Sequence, residues 1–112
     1  MKLGCNDEIK NLLPSIKGAI CEDLIYKMNY SQEKAAALLG ITQPMVSKYI
    51  HRRYSANLKI TISRIKNNKM YIRAIDGFIK GGGNADVDSL INALLFDKEF
   101  VDELRTSESS LK

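Results

Sequence analysis

Few side chains in this sequence belong to the types that catalyse reactions or bind metal ions. His51 is the only histidine, and the two cysteines, Cys5 and Cys21, lie far apart in the chain. A structural zinc site needs four ligands at short spacings, and a nucleophilic Ser or Cys needs a histidine base. The sequence therefore predicts no metal ion, no cofactor and no enzyme activity. Cys21 is predicted to be a small buried residue, with redox sensing as the alternative.

A second group of polar side chains has the chemistry to contact nucleic acid. Five residues suited to base edges follow Gly40 within nine positions, namely Thr42, Gln43, Pro44, Ser47 and Lys48. Gln43 is the best candidate base reader, because its amide can form two hydrogen bonds with the edge of adenine; the alternative is a solvated glutamine. Pro44 either packs on a thymine methyl group or only sets the start of a helix. Ser47 and Lys48 are suited to bases or to the backbone.

Three further residues follow this group and are suited to phosphate. Arg52 and Arg53 are predicted to contact the DNA backbone. His51 is predicted to be a phosphate contact or a plain surface residue, since no carboxylate partner can be identified for it. Together these side chains favour double-stranded DNA as the partner.

Charge is distributed unevenly along the 112 residues. Residues 1–41 have no net charge, residues 42–80 contain nine Lys or Arg and one acid, for a net charge of +8, and residues 81–112 have a net charge of −4. A positively charged surface attracts phosphates, whereas an acidic one is repelled by them. The middle of the chain is therefore predicted to face nucleic acid, and the acidic end to face another partner. A solvated charged surface is the alternative.

Local signals around these residues predict a helix, a tight turn and a second helix. Ser31 is a candidate N-cap for a helix over residues 32–39, and Gly40 can adopt the left-handed conformation that ends helices. Thr42 is a candidate N-cap for the next helix, which has Pro44 in its first turn. Small and apolar residues are available at the crossing of the two helices: Ala36, Ile41, Val46 and Tyr49. This pattern is typical of a helix-turn-helix, with a plain αα-corner as the alternative.

The sequence also resembles the lambda-repressor-like regulators (Cro/C1-type, XRE), and among them small predicted transcriptional regulators of archaeal type. The resemblance covers about residues 9–53 and lies in Leu13-Pro14-Ser15-Ile16-Lys17 and in the segment from Ser31-Gln32 through Leu39-Gly40-Ile41-Thr42-Gln43-Pro44-Met45-Val46-Ser47-Lys48-Tyr49. It implies that Ser31 and Gln32 lie near a phosphate. It also implies that the helix containing Gln43 and Ser47 enters the major groove.

The remaining segments are also predicted to be helical. Asn6 is a candidate N-cap for a first helix that Pro14 kinks or restarts and that ends near Asn29. Asn57 is a candidate N-cap for a helix over residues 58–65, although residues 58–62 alternate equally well as a strand. A break is predicted at residues 67–68, and the helix that follows it is stopped by the glycines at 81–83. Two C-terminal helices come next, of which the first begins at Asn84 and the second is capped by Asp97.

These elements predict an all-α fold of the lambda-repressor-like type with additional C-terminal helices. Residues 1–56 form the helix-turn-helix core (motif 31–51), residues 57–105 complete the core and dimerise, and residues 106–112 are a disordered tail. The apolar residues between 87 and 104 predict a homodimer; the alternative is that they complete the core of one chain. No apolar run approaches the roughly 18 residues of a membrane span, and no signal peptide is visible, so a cytoplasmic protein is expected.

The sequence leaves two functions open. The first is a sequence-specific DNA-binding transcriptional regulator, with repression favoured over activation, that binds operator DNA as a homodimer. The second is an adaptor or antitoxin-like protein that uses the same fold to bind a protein partner.

Overall fold

Helices account for all the regular secondary structure in the part of the chain that is described. The computed structural model describes the backbone of residues 2–81 and 86–110 and the side chains of residues 12–81 and 86–104. Within these ranges lie seven helices: α1 (Lys2–Tyr26), α2 (Gln32–Leu39), α3 (Gln43–Ile50), α4 (Ala56–Asn67), α5 (Lys69–Lys80), α6 (Val87–Leu95) and α7 (Lys98–Ser110). The predicted all-α class is confirmed for these residues.

The first helix begins and ends earlier than its local signals predict, because it ends at Tyr26 and not near Asn29. Helix α1 begins at Lys2, so Asn6 lies inside the helix and is not its N-cap, and Pro14 neither ends nor restarts it. Proline removes one backbone hydrogen bond from a helix interior, but packing can offset that loss. The predicted apolar stripe supplies this packing, because its side chains are buried from Ile16 to Leu24. Packing of this stripe therefore keeps α1 continuous past Pro14.

The strand alternative for residues 58–62 is wrong, because α4 is a helix that buries Ile62 and Ile65. Its N-cap is Ser55, whose hydroxyl oxygen accepts a hydrogen bond from the Leu58 backbone N–H at 3.1 Å, and not Asn57, which lies inside the helix. The predicted break after α4 is confirmed. Asn68 ends α4 and also caps α5 through hydrogen bonds from two backbone N–H groups to its side-chain oxygen.

The C-terminal helices differ from the prediction at their ends. Asp86 caps α6, and Asn84, the predicted start, lies outside the described residues. Asp97 caps α7 as predicted, through a hydrogen bond from the Phe100 backbone N–H to Oδ1 at 3.1 Å. Helix α7 continues through Ser110, which differs from the unstructured tail predicted for residues 106–112. Residues 111 and 112 lie outside the described part of the chain.

One hydrophobic core joins the two halves of the chain. It extends from Leu12 in α1 to Leu104 in α7, and α1 packs against α2, α3, α4 and α6. Most apolar side chains of residues 87–104 are buried in this core, including Val87, Leu94 and Phe100. They complete the core of one chain, which was the alternative to a dimer interface. Phe96 is the large apolar side chain of this segment that is exposed, with 86% of its surface accessible.

Gly18 lies in α1 at a close approach to α3 and α4. A Cβ atom there would lie 2.8 Å from Ile62 Cδ1 and 2.9 Å from two ring atoms of Tyr49, which is 3% exposed. These distances are shorter than van der Waals contact, so a side chain at residue 18 would push the second helix of the motif away from α1. Gly77 in α5 offers a contrast, because a Cβ there would meet nothing within 4 Å.

We expect Gly18→Ala to lower the free energy of unfolding by about 1 kcal/mol, because overpacking of roughly 1 to 3 kcal/mol outweighs the gain in helix propensity of about 1 kcal/mol. Gly77→Ala should raise it by about 0.5 to 1 kcal/mol through propensity alone. Urea unfolding of both variants measures the two changes in the free energy of unfolding. Stabilisation by both substitutions would contradict the close approach of α1 and α3.

Among the described residues, no helix has the length and apolar composition that crossing a membrane requires.

Candidate nucleic-acid interface

Helices α2 and α3 follow one another across a short turn, and their ends carry the capping residues that the sequence predicted. The Ser31 hydroxyl caps α2 by accepting a hydrogen bond from the Lys34 backbone N–H at 3.1 Å. Gly40 then turns the chain with φ of 67°, and the backbone N–H groups of Gly40 and Ile41 both donate to the Ala36 carbonyl. This is a glycine-based helix end, in which the left-handed residue reverses the chain. The turn is therefore short and fixed.

The second helix of the motif divides into a buried face and a polar face. Val46 and Tyr49 are buried against the rest of the protein, as predicted for the inward side of α3. Gln43, Pro44 and Lys48 are exposed, and Ser47 is half-buried. Residues four apart share a face of a helix, so Gln43 lies beside Ser47 and Pro44 beside Lys48. The structure thus brings four of the five predicted base contacts onto one accessible surface.

The fifth predicted base contact, Thr42, has a local role. Its hydroxyl oxygen accepts a hydrogen bond from the Met45 backbone N–H at 3.3 Å and caps α3. Ser31 does the same for α2, so one acceptor position of each hydroxyl is used within the protein. Each hydroxyl proton remains able to donate, and phosphate and carbonyl oxygens are acceptors. Both residues therefore combine capping with an available donor at an exposed helix start.

The predicted phosphate contacts lie at the ends of the motif. Ser31 and Gln32 are exposed at the start of α2, while His51, Arg52 and Arg53 are exposed just after α3. In the described part of the chain, neither arginine forms an ion pair, and the same holds for Lys48. Unpaired guanidinium groups can bind phosphate oxygens through two hydrogen bonds each.

The backbone after α3 adopts an unusual conformation for its sequence. His51 is the C-cap of α3, and Arg52 has a left-handed backbone with φ of 56°. The Arg53 backbone N–H donates to the Lys48 carbonyl at 2.8 Å, which completes the same kind of helix end that Gly40 forms after α2. A side chain in the left-handed region costs roughly 1 kcal/mol relative to glycine. The sequence thus places an arginine where glycine would be favoured.

Tyr54 anchors this loop to the first helix. Its hydroxyl donates a hydrogen bond to Glu22 Oε2 at 3.2 Å, and its ring packs on that of Tyr49 with the centroids 6.0 Å apart. Sequence reasoning did not single out Tyr54. An aromatic residue directly after Arg53 was the available signal, but its partner lies 32 residues away.

Two buried acids in α1 form a polar network that joins several elements. Glu22 and Asp23 are only 3% and 2% exposed. Lys66 Nζ of α4 lies 2.8 Å from Glu22 Oε1 and 3.7 Å from Asp23 Oδ1. The Tyr71 hydroxyl of α5 donates to Asp23 Oδ2 at 2.5 Å. The network therefore compensates the burial of two carboxylates and connects α1 to α4, to α5 and to the loop that contains Tyr54.

The tyrosines in this network remain protonated at neutral pH. Burial, together with Glu22, raises the pKa of Tyr54 to about 12. Burial also raises the pKa of Tyr71, with the Asp23 carboxylate adding to the effect. A pKa that is higher in the folded than in the unfolded protein stabilises the fold below about pH 10, and this stabilisation is lost as the pH rises through the folded value. Both hydroxyls thus donate across the physiological range.

Cys21 is buried, as predicted. Burial, with a smaller contribution from Glu22, raises the pKa of its thiol to about 11. A protonated thiol is a poor nucleophile, which favours packing over redox chemistry. The side chain of Cys5 lies outside the described residues. Where side chains are described, no group of three or more His, Cys, Asp or Glu residues could hold a metal ion.

No protein-family model, no curated protein and no solved structure matches this chain.

Proposed function

We propose that the chain is a sequence-specific DNA-binding transcriptional regulator with a lambda-repressor-like helix-turn-helix. In this proposal α3 enters the major groove of operator DNA, and the start of α2 and the loop after α3 contact the backbone. The protein acts by occupying its site, as a repressor in the cytoplasm, and performs no chemistry.

The observation that carries the proposal is the division of α3 into two faces. Its apolar side holds the helix against the core, while Gln43, Ser47 and Lys48 remain accessible along the other side. An α-helix fits the major groove of B-form DNA, and amide, hydroxyl and ammonium groups can recognise base edges there. Arg52 and Arg53, which form no ion pairs with other described residues, supply the sequence-independent attraction that backbone binding requires.

We expect Gln43→Ala to weaken binding to the preferred site by about 1 to 3 kcal/mol, because it removes a base contact and no charge. Binding to random DNA should stay close to that of the parent. The preferred site is obtained by selecting bound sequences from random DNA, and both affinities are measured by fluorescence anisotropy over a range of salt concentrations.

Gln32→Ala is the matched control, since it removes the same side chain from the start of α2, where only a phosphate contact is proposed. It should weaken binding to both DNA sequences alike. Equal losses on both sequences for Gln43→Ala would exclude Gln43 as a base reader. If selection enriches no sequence and the parent shows no salt-dependent affinity for DNA, the proposed function is wrong.

The proposal includes a homodimer on the DNA, because one helix-turn-helix covers one half-site and useful specificity usually needs two half-sites. Within residues 87–104, Phe96 is the large apolar side chain left accessible to a second copy of the chain. The same exposed ring favours the alternative function, an adaptor or antitoxin-like protein that docks a protein partner. Light scattering separates the two: a dimer that Phe96→Ser dissociates supports the regulator, whereas a monomer without affinity for DNA supports the adaptor.

A further inference from the structure

The loop between α3 and α4 is fixed at both ends and in its middle. At its start, the Arg53 N–H is bonded to the Lys48 carbonyl, and at its end, Ser55 caps α4. Between these points, the Tyr54 hydroxyl reaches back to Glu22 in α1. A segment of five residues, 51–55, therefore has three separate attachments to the folded protein, although its own side chains are mostly exposed.

The carboxylate that receives the Tyr54 hydrogen bond is itself held in place. Glu22 is buried, and its other oxygen lies 2.8 Å from Lys66 Nζ. This ion pair leaves Glu22 Oε2 as a fixed acceptor below the loop. The ring of Tyr54 also rests on the buried ring of Tyr49. Tyr54 thus connects the exposed basic residues to two buried parts of the core.

We infer that Tyr54 and Glu22 are positioning residues that hold Arg52 and Arg53 in the geometry that binds the DNA backbone. The inference rests on the proposed function and identifies what makes that surface effective. Arginine side chains and mobile loops lose conformational entropy when they bind, and a loop fixed in advance loses less. The left-handed backbone of Arg52 agrees with this role, because a strained conformation persists only where surrounding contacts impose it.

The test is Tyr54→Phe, which keeps the ring on Tyr49, removes only the hydroxyl and changes no charge. Affinity for preferred and random DNA should fall together by roughly 10-fold, and the slope of log affinity against log salt should become shallower by about 0.9 for each phosphate that the variant no longer neutralises. Hydrogen exchange of the Arg53 amide should become faster, because its bond to Lys48 opens more often.

Tyr71→Phe is the matched control. It also removes a hydroxyl that donates to a buried acid of α1, in this case Asp23. Tyr71 belongs to α5 and not to the loop of residues 51–55. Both variants should lose thermal stability, so all DNA titrations are made well below the lower melting temperature. Tyr71→Phe should keep the parental affinity, salt slope and Arg53 exchange rate.

Each outcome has one interpretation. If the parent binds DNA and Tyr54→Phe binds with the same affinity and salt slope, the positioning role is wrong and the proposed function stands. If Tyr71→Phe weakens DNA binding as much as Tyr54→Phe, the effect is one of general stability and the inference also fails. If the parent shows no salt-dependent DNA binding, the proposed function fails and the inference fails with it.

Discussion

Replacing Lys66 with methionine should lower the free energy of unfolding by about 2 to 4 kcal/mol, the largest loss of stability that we expect from any single change discussed. Methionine keeps much of the length of the side chain but removes the cation. Glu22 and Asp23 would then remain buried without the ammonium group that lies within 4 Å of both. Removing one partner of a buried pair is costly because the other charge stays desolvated, and the partial exposure of Lys66 moderates that loss.

Lys59→Met in the same helix is the control, since Lys59 is exposed and forms no ion pair with another described residue. Its effect should stay within about 0.5 kcal/mol. Chemical denaturation of both variants, repeated in a Glu22→Gln background, gives the coupling between Lys66 and Glu22. Similar losses from the two lysine substitutions, or no coupling, would show that the network contributes little to stability.

Changing Arg52 and Arg53 together to alanine should weaken binding to preferred and random DNA alike by roughly 10- to 100-fold. The slope of log affinity against log salt should become shallower by about 0.9 for each phosphate that is left without its arginine, and therefore by up to about 1.8. Specificity should survive, because neither side chain is assigned to a base. Anisotropy titrations at several salt concentrations measure both quantities.

The double variant should remain folded, because exposed charges at a helix end contribute little to stability. Circular dichroism and the melting temperature are therefore compared with those of the parent. Changing Lys69 and Arg73 together to alanine is the control that removes the same charge, since both residues are exposed in α5 and neither is assigned a DNA contact. If the Arg52 and Arg53 variant keeps its affinity and salt slope, the basic segment is a solvated surface and the adaptor function is favoured.

The two short helices α2 and α3 and the turn between them could be predicted from the sequence because their signals are local. The Ser31 and Thr42 caps each act over three residues, and Gly40 needs only its own backbone conformation. The limits of α2 and α3 follow from these short-range interactions. The polar face of α3 follows in turn, since the apolar residues of a short amphipathic helix indicate which side is buried.

Features that depend on distant contacts could not be predicted in the same way. Glu22 and Asp23 look like ordinary acids on a helix, because Lys66 and Tyr71, which compensate their burial, lie 44 and 48 residues away. The apolar segment after residue 86 indicated buried surface but not whether one chain or two would cover it. The sequence predicted Asn57 as the cap of α4, whereas Ser55 caps it, and the contact between Tyr54 and Glu22 is defined only in the folded chain.

The joint between α4 and α5 also restricts how this chain can change in length. Asn68 ends one helix, begins the next, and donates from its side chain to Glu103 of α7. An inserted residue after Asn68 would rotate the rest of α5 by about 100° around its axis. Tyr71 would then turn away from Asp23, and the apolar stripe of α5 would turn toward solvent. We therefore expect insertions and deletions at this joint to destabilise the fold, although it lies at a helix boundary, where chains ordinarily tolerate them.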